Sequence, residues 1–120
     1  MVQFFVEGGW GMYPVLVMGL LLVGASVRYA LDGEAVRLRF IWILALTLVV
    51  TMLHATWTCV AAVLSYLGTV APGEVTKVLM IGLMESTRPA TLGGALLVLA
   101  LVAMSIGAYR AGRRELAALR

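Results

Sequence analysis

Thr47, Thr51, His54, Thr58 and Ser65 recur within one long apolar stretch, at steps of four, three, four and seven. On a helix these steps share one face in near-heptad phase. Polar groups in hydrocarbon are costly unless paired, so such a face points at other helices or at water. One reading is a pore-lining face, with Thr51, His54 and Thr58 on the path and His54 exchanging protons near neutral pH. The other is helix packing. Threonines often bond their own backbone, and each cross-helix bond contributes about 0.6–2 kcal/mol. The pattern leaves both readings open.

A second candidate is Glu85, the only carboxylate near the third apolar run, with Arg88 three residues on. On a helix the two are neighbours and can pair. Glu85 reads either as a carboxylate at a pore mouth that attracts cations or as an interfacial acid favoured by a helix start. Small residues recur at four-residue steps in the same run: Ala90 and Gly94, then Ala103, Gly107 and Ala111. That step lets helix backbones approach closely. There is no phosphate loop, no paired metal-ligand spacing and no nucleophile–base pair. The expectation is therefore neither an enzyme nor a holder of a metal or cofactor. Cys59 is the single cysteine, so no internal disulfide is expected.

These residues sit in a chain of 120 residues that is 62% hydrophobic and only 12% charged. A soluble domain carries about 25% charge, and a small fold leaves much of its surface exposed. Lipid must therefore be the solvent, in one all-α membrane domain. A spanning helix needs roughly 20 apolar residues. Three runs satisfy this: about 13–30, 40–67 and 89–109. The first looks like a plain lipid-facing anchor. Gly8-Gly9-Trp10-Gly11-Met12-Tyr13-Pro14 precedes it, with Pro14 suited to a first helical turn and Trp10 and Tyr13 to an interfacial belt. Phe4, Phe5 and Glu7 suit a short interfacial helix, and without a basic leader no cleaved signal peptide is expected. The second run is too long for a perpendicular crossing, so a tilted or protruding helix is expected; Gly68 and Pro72-Gly73 end it. Residues 74–88 read either as an interfacial helix or as the start of a long third helix kinked at Pro89.

Orientation follows from Lys and Arg near the span ends. Arg28, Arg37, Arg39, Arg110, Arg113, Arg114 and Arg120 lie on one side, against Lys77 and Arg88 on the other. This predicts the N-terminus outside and the C-terminus in the cytoplasm. The net charge of +3 belongs to this topology and makes no case for nucleic acid. With so little else to bury the polar and small-residue faces, a homo-oligomer in the bilayer is expected.

Several of these segments together resemble the MotA/TolQ/ExbB proton-channel family. Gly8-Gly9-Trp10-Gly11-Met12-Tyr13-Pro14-Val15-Leu16 is similar to its approach to the first span, and Arg28 to the basic residue that commonly closes that span. Leu67-Gly68-Thr69-Val70 matches its Leu-Gly-Thr-Val motif. Gly82-Leu83-Met84-Glu85, followed by Pro89, Ala90, Thr91 and Gly93, resembles the motif that opens its last pore helix. The chain would be a reduced member, with a short connection where the family carries a sizeable cytoplasmic domain. Ala71-Pro72-Gly73 follows the Leu-Gly-Thr-Val segment, where the family's helix runs on. The family's threonine position falls on Ala90, one place before Thr91. The resemblance implies a homopentamer in a bacterial inner membrane, with Thr69, Glu85 and Thr91 lining a pore around a single-span TolR/ExbD-like partner. Proton flow would then drive mechanical work or transport. The alternative class is a non-conducting structural or regulatory subunit of a larger membrane complex.

Overall fold

A computed structural model describes residues 9–120; the short helix expected around Phe4, Phe5 and Glu7 lies outside the described residues. Four helices follow in order: α1 (Met12–Asp32), α2 (Val36–Leu67), α3 (Val75–Ser86) and α4 (Arg88–Ala118). There is no strand among the described residues. Three stretches are long and apolar enough to cross a membrane: α1, α2 and the 44 residues from Val75 to Ala118.

The third stretch resolves the ambiguity over residues 74–88. One non-helical residue, Thr87, separates α3 from α4. Pro89 has no N–H, so the i→i−4 ladder is interrupted there. Thr87 bridges the gap: its Oγ1 donates to the Met84 carbonyl at 2.7 Å, and the Thr91 N–H restarts the ladder on the Thr87 carbonyl at 3.0 Å. At about 1.5 Å per residue this rod is about 66 Å long, which accounts for the molecule's 74 × 20 × 20 Å extents.

The expected lipid-facing role of the first helix is corrected. In its most apolar window α1 is 33% buried, against 17% for the other two stretches. The reason is its phase. Met12, Val15, Gly19, Leu22, Ser26 and Tyr29 are buried at alternating steps of three and four, the heptad spacing of left-handed knobs-into-holes packing. The facing line on the long rod has the same phase but small residues: Gly82, Ser86, Pro89, Gly93, Ala100, Ala103 and Gly107. Large side chains from the other helices fill those gaps. Tyr29 covers Gly107, Met52 and Val15 cover Gly93, and Val63 covers Gly82, while Leu96 covers Gly19 on α1. Such close dispersion contacts hold the helices against one another.

The packing line does not run through Gly94, as the four-residue spacing from Ala90 suggested. A side chain at Gly94 would meet nothing within 4 Å, whereas Gly93 is buried under Met52 and Val15. One residue turns the side chain by about 100°.

These contacts set the register. Residue 93 lies beside residue 15, and 107 beside 29 and 30, so α1 and α4 run parallel; Gly11 meets Ala55, so α2 runs antiparallel to α1. The chain beyond Ala55 on α2, with α3 packed against it, projects past the N-terminal end of α1. At the other end α4 continues past Asp32. Two of its arginines cap the final turn of α1: Arg110 Nη1 donates to the Ala30 carbonyl at 3.4 Å and Arg114 Nη1 to the Asp32 carbonyl at 3.1 Å. Gly33, at φ +72°, closes that turn with its N–H on the Tyr29 carbonyl at 2.8 Å. Asp32 pairs with Arg37 at 3.1 Å, which fastens the short connection to α2.

Candidate functional site

The polar stripe of α2 lies one residue before the core line: Thr47 precedes Leu48, Thr51 precedes Met52, and His54 precedes Ala55. It is therefore about 100° around the helix from the core. Leu48 is fully buried, whereas Thr47, His54 and Thr58 are exposed and Thr51 is half-buried.

Every hydroxyl on the stripe donates to the carbonyl four residues earlier on its own helix. Thr47 bonds Ile43 at 2.8 Å, Thr51 bonds Thr47 at 2.7 Å, Thr58 bonds His54 at 2.8 Å, and Ser65 bonds Ala61 at 2.9 Å. Their protons are satisfied locally, so the face tolerates an apolar neighbour. Each oxygen keeps lone pairs that can accept from water or from an imidazole N–H. Within one chain these hydroxyls do not bind one helix to another.

Thr51, His54 and Thr58 share a groove of about 390 Å³ with Trp10, Pro14 and Cys59. The N-terminal end of α1 walls it, because Gly11 packs on Ala55. The Trp10 and Tyr13 rings sit 6.2 Å apart at this same level. His54 is thus level with the start of α1, not with its middle. The structure brings together these three of the six path candidates.

The other three are dispersed. Glu85 is half-buried in a separate crevice of about 320 Å³ between α2 and α3, with Val63, Tyr66, Val78 and Gly82. Thr69 lies exposed in the turn after α2, its hydroxyl on the Tyr66 carbonyl at 2.7 Å. Thr91 is exposed on α4, its hydroxyl on the Thr87 carbonyl at 3.0 Å. Six positions along the rod set Glu85 and Thr91 about 120° apart around its axis. One chain therefore cannot present both to the same side. Of the expected packing residues, Ala103 and Gly107 are buried.

The interior between the helices is apolar. Met12, Val15, Leu22, Ile41 and Leu48 are fully buried. The buried hydroxyls Ser26 and Ser86 donate to Leu22 and Gly82 of their own helices at 2.8 and 2.7 Å. Thr56 is the exception. Its Oγ1 is the one buried side-chain polar atom without a partner among the described residues. Sequence reading passed over Thr56 because it lies off the heptad stripe; its position beside core residue Ala55 was the available signal. No group of three or more His, Cys, Asp or Glu suited to a metal occurs among the described residues.

Comparison with known proteins finds no matching family model, no similar curated protein and no similar solved structure.

Proposed function

We propose that the chain is a three-span membrane protein acting as a non-conducting structural subunit, which joins a larger membrane assembly through the flank of α2. The observation that carries this reading is the placement of polar groups: they lie outside a closed, apolar three-helix core. A hydrated path needs polar groups in series, and among the described residues the core of one chain offers only the hydroxyls of Ser26 and Ser86, each bonded to its own helix, and the lone hydroxyl of Thr56.

The depth of His54 supports the same reading. α1, at 21 residues, is about 31 Å long and matches a bilayer core of about 30 Å. With α1 spanning, His54 sits at the membrane surface beside the Trp10 and Tyr13 belt. The arginine asymmetry orients the N-terminal end outward and the tail of α4 into the cytoplasm. The segments beyond Ala55 and before Pro89 then project from the outer face.

One observation favours a second reading, a stator-like proton channel of the MotA/TolQ/ExbB kind in a bacterial inner membrane. His54 is a titratable group in a groove turned away from its own core, where a second copy could complete a path. A pentamer and a TolR/ExbD-like single-span partner belong to this reading.

Proton flux into liposomes separates the two. The structural reading expects background flux from wild type, His54→Ala and Glu85→Gln alike, with co-purifying partners present. Flux in wild type that either substitution abolishes selects the channel.

A further inference from the structure

We infer that the face of α4 formed by Ser105, Ile106, Tyr109, Arg110, Arg113 and Arg114 binds the headgroup phosphodiester of an anionic phospholipid. The inference rests on the membrane reading above. These side chains line one continuous groove of about 630 Å³. It is apolar at Ile106 and Tyr109, which are 48% and 68% exposed, and cationic one to two turns further on. From Ile106 to Arg113 is about 10 Å along the helix axis. That sequence of surfaces fits an amphipathic ligand: acyl chain along the apolar turns, phosphate at the guanidinium level.

The cationic end is held in place. Arg110 and Arg114 each use one N–H on a terminal carbonyl of α1, and a guanidinium has five. Four donors on each remain for a ligand, on side chains already fixed to the bundle. Arg113 lies over the Tyr109 ring at 6.0 Å, so its plane is also oriented. A guanidinium fork matches two phosphate oxygens. Among the described residues no carboxylate lines the groove, and the nearby Asp32 is paired to Arg37. A ligand with net negative charge is therefore preferred over a zwitterion. The apolar half distinguishes a lipid from free phosphate, which would gain nothing from Ile106 and Tyr109.

The test uses the purified full chain in neutral detergent micelles, where no charged bilayer surface contributes. Phosphatidylglycerol, phosphatidylcholine and inorganic phosphate are titrated separately, with bound lipid counted by native mass spectrometry and stability followed by thermal shift. Phosphatidylglycerol should bind at least tenfold more tightly than phosphatidylcholine, and phosphate at equal concentration should give no shift. Arg113→Gln should weaken phosphatidylglycerol binding about fivefold, the effect of one cation at an anionic headgroup. Among the described residues the arginine bonds to α1 come from Arg110 and Arg114, not Arg113, and unchanged circular dichroism verifies the variant's fold. Arg39→Gln, exposed on α2 and outside the groove lining, should stay within twofold. Equal binding of the two lipids, a shift from phosphate alone, or equal losses in the two arginine variants would overturn the site. Alkaline carbonate washing reads the membrane proposal separately: a chain that remains in the pellet yet shows no lipid preference refutes only the lipid site.

Discussion

Gly107 lies directly beneath the ring of Tyr29: a Cβ built there would sit 2.7 Å from Tyr29 Cδ1 and 3.0 Å from the Cα of Ala30. Tyr29 is itself 3% exposed and cannot swing aside, and the Ala30 contact is backbone. Gly107→Ala should therefore destabilise the bundle by about 1–3 kcal/mol through overpacking. Gly94→Ala, with open space around it, should be neutral or gain up to about 1 kcal/mol of helix preference. SDS-titrated unfolding in mixed micelles, followed by circular dichroism, measures both. Equal effects would contradict the packing line through Gly93 and Gly107.

Gly33 is required for a different reason. Its φ of +72° is left-handed, yet an added Cβ would meet only ordinary contacts, 3.6 Å to Arg114 Nη1 and 3.8 Å to the Ala111 Cβ. The loss in Gly33→Ala is thus conformational, about 1–2 kcal/mol. Gly33→Asn should lose less, because Asn tolerates this cap position. The same unfolding assay should rank glycine, asparagine and alanine in that order.

If the flank of α2 is an assembly surface, it should come close to another chain there. In a Cys59→Ala background, His54→Cys or Thr58→Cys should give oxidised dimers in native membranes or disulfides to a partner. Leu22→Cys, fully buried in the core, should not. Monomers alone at both stripe positions would remove the surface from the proposal.

Thr56 adds a counterpart in the core. Its buried hydroxyl lacks a partner among the described residues, and removing such a group recovers its desolvation penalty. Thr56→Val should stabilise the isolated chain by about 1 kcal/mol. A loss of similar size would mean that the hydroxyl is satisfied in solution.

Orientation and depth can be read by labelling. In the same cysteine-free background, Met80→Cys should react with a charged maleimide added outside intact spheroplasts, since Met80 is 68% exposed on the projecting α3. Ala117→Cys, exposed on the arginine-rich tail, should react only after lysis. The reverse pattern would invert the topology.

Hydropathy and length were sufficient to determine three apolar helical stretches, because about 20 residues without charge have few other stable states in lipid. The helix ends were less legible. α1 and α2 begin before the expected 13 and 40, at Met12 and Val36, because helix hydrogen bonding continues past the apolar boundary through Arg37 and Arg39. The heptad from Met12 to Tyr29 was also present in the sequence. It went unread because an apolar helix looks the same whether lipid or protein covers it.

Tertiary structure decided what depends on rotation and height. Gly93 and Gly94 are equivalent in composition, and about 100° of rotation makes one a packing surface and leaves the other open. His54 falls near the middle of its apolar run by count, but the contact of Gly11 with Ala55 raises it to the end of α1. Glu85, Thr69 and Thr91 are close in sequence and share no face. The threonine hydroxyls had a choice between their own backbone and a neighbouring helix. The i−4 carbonyl is always within reach, whereas a partner on another helix must be placed by packing. In this chain the packing line runs one residue to the side.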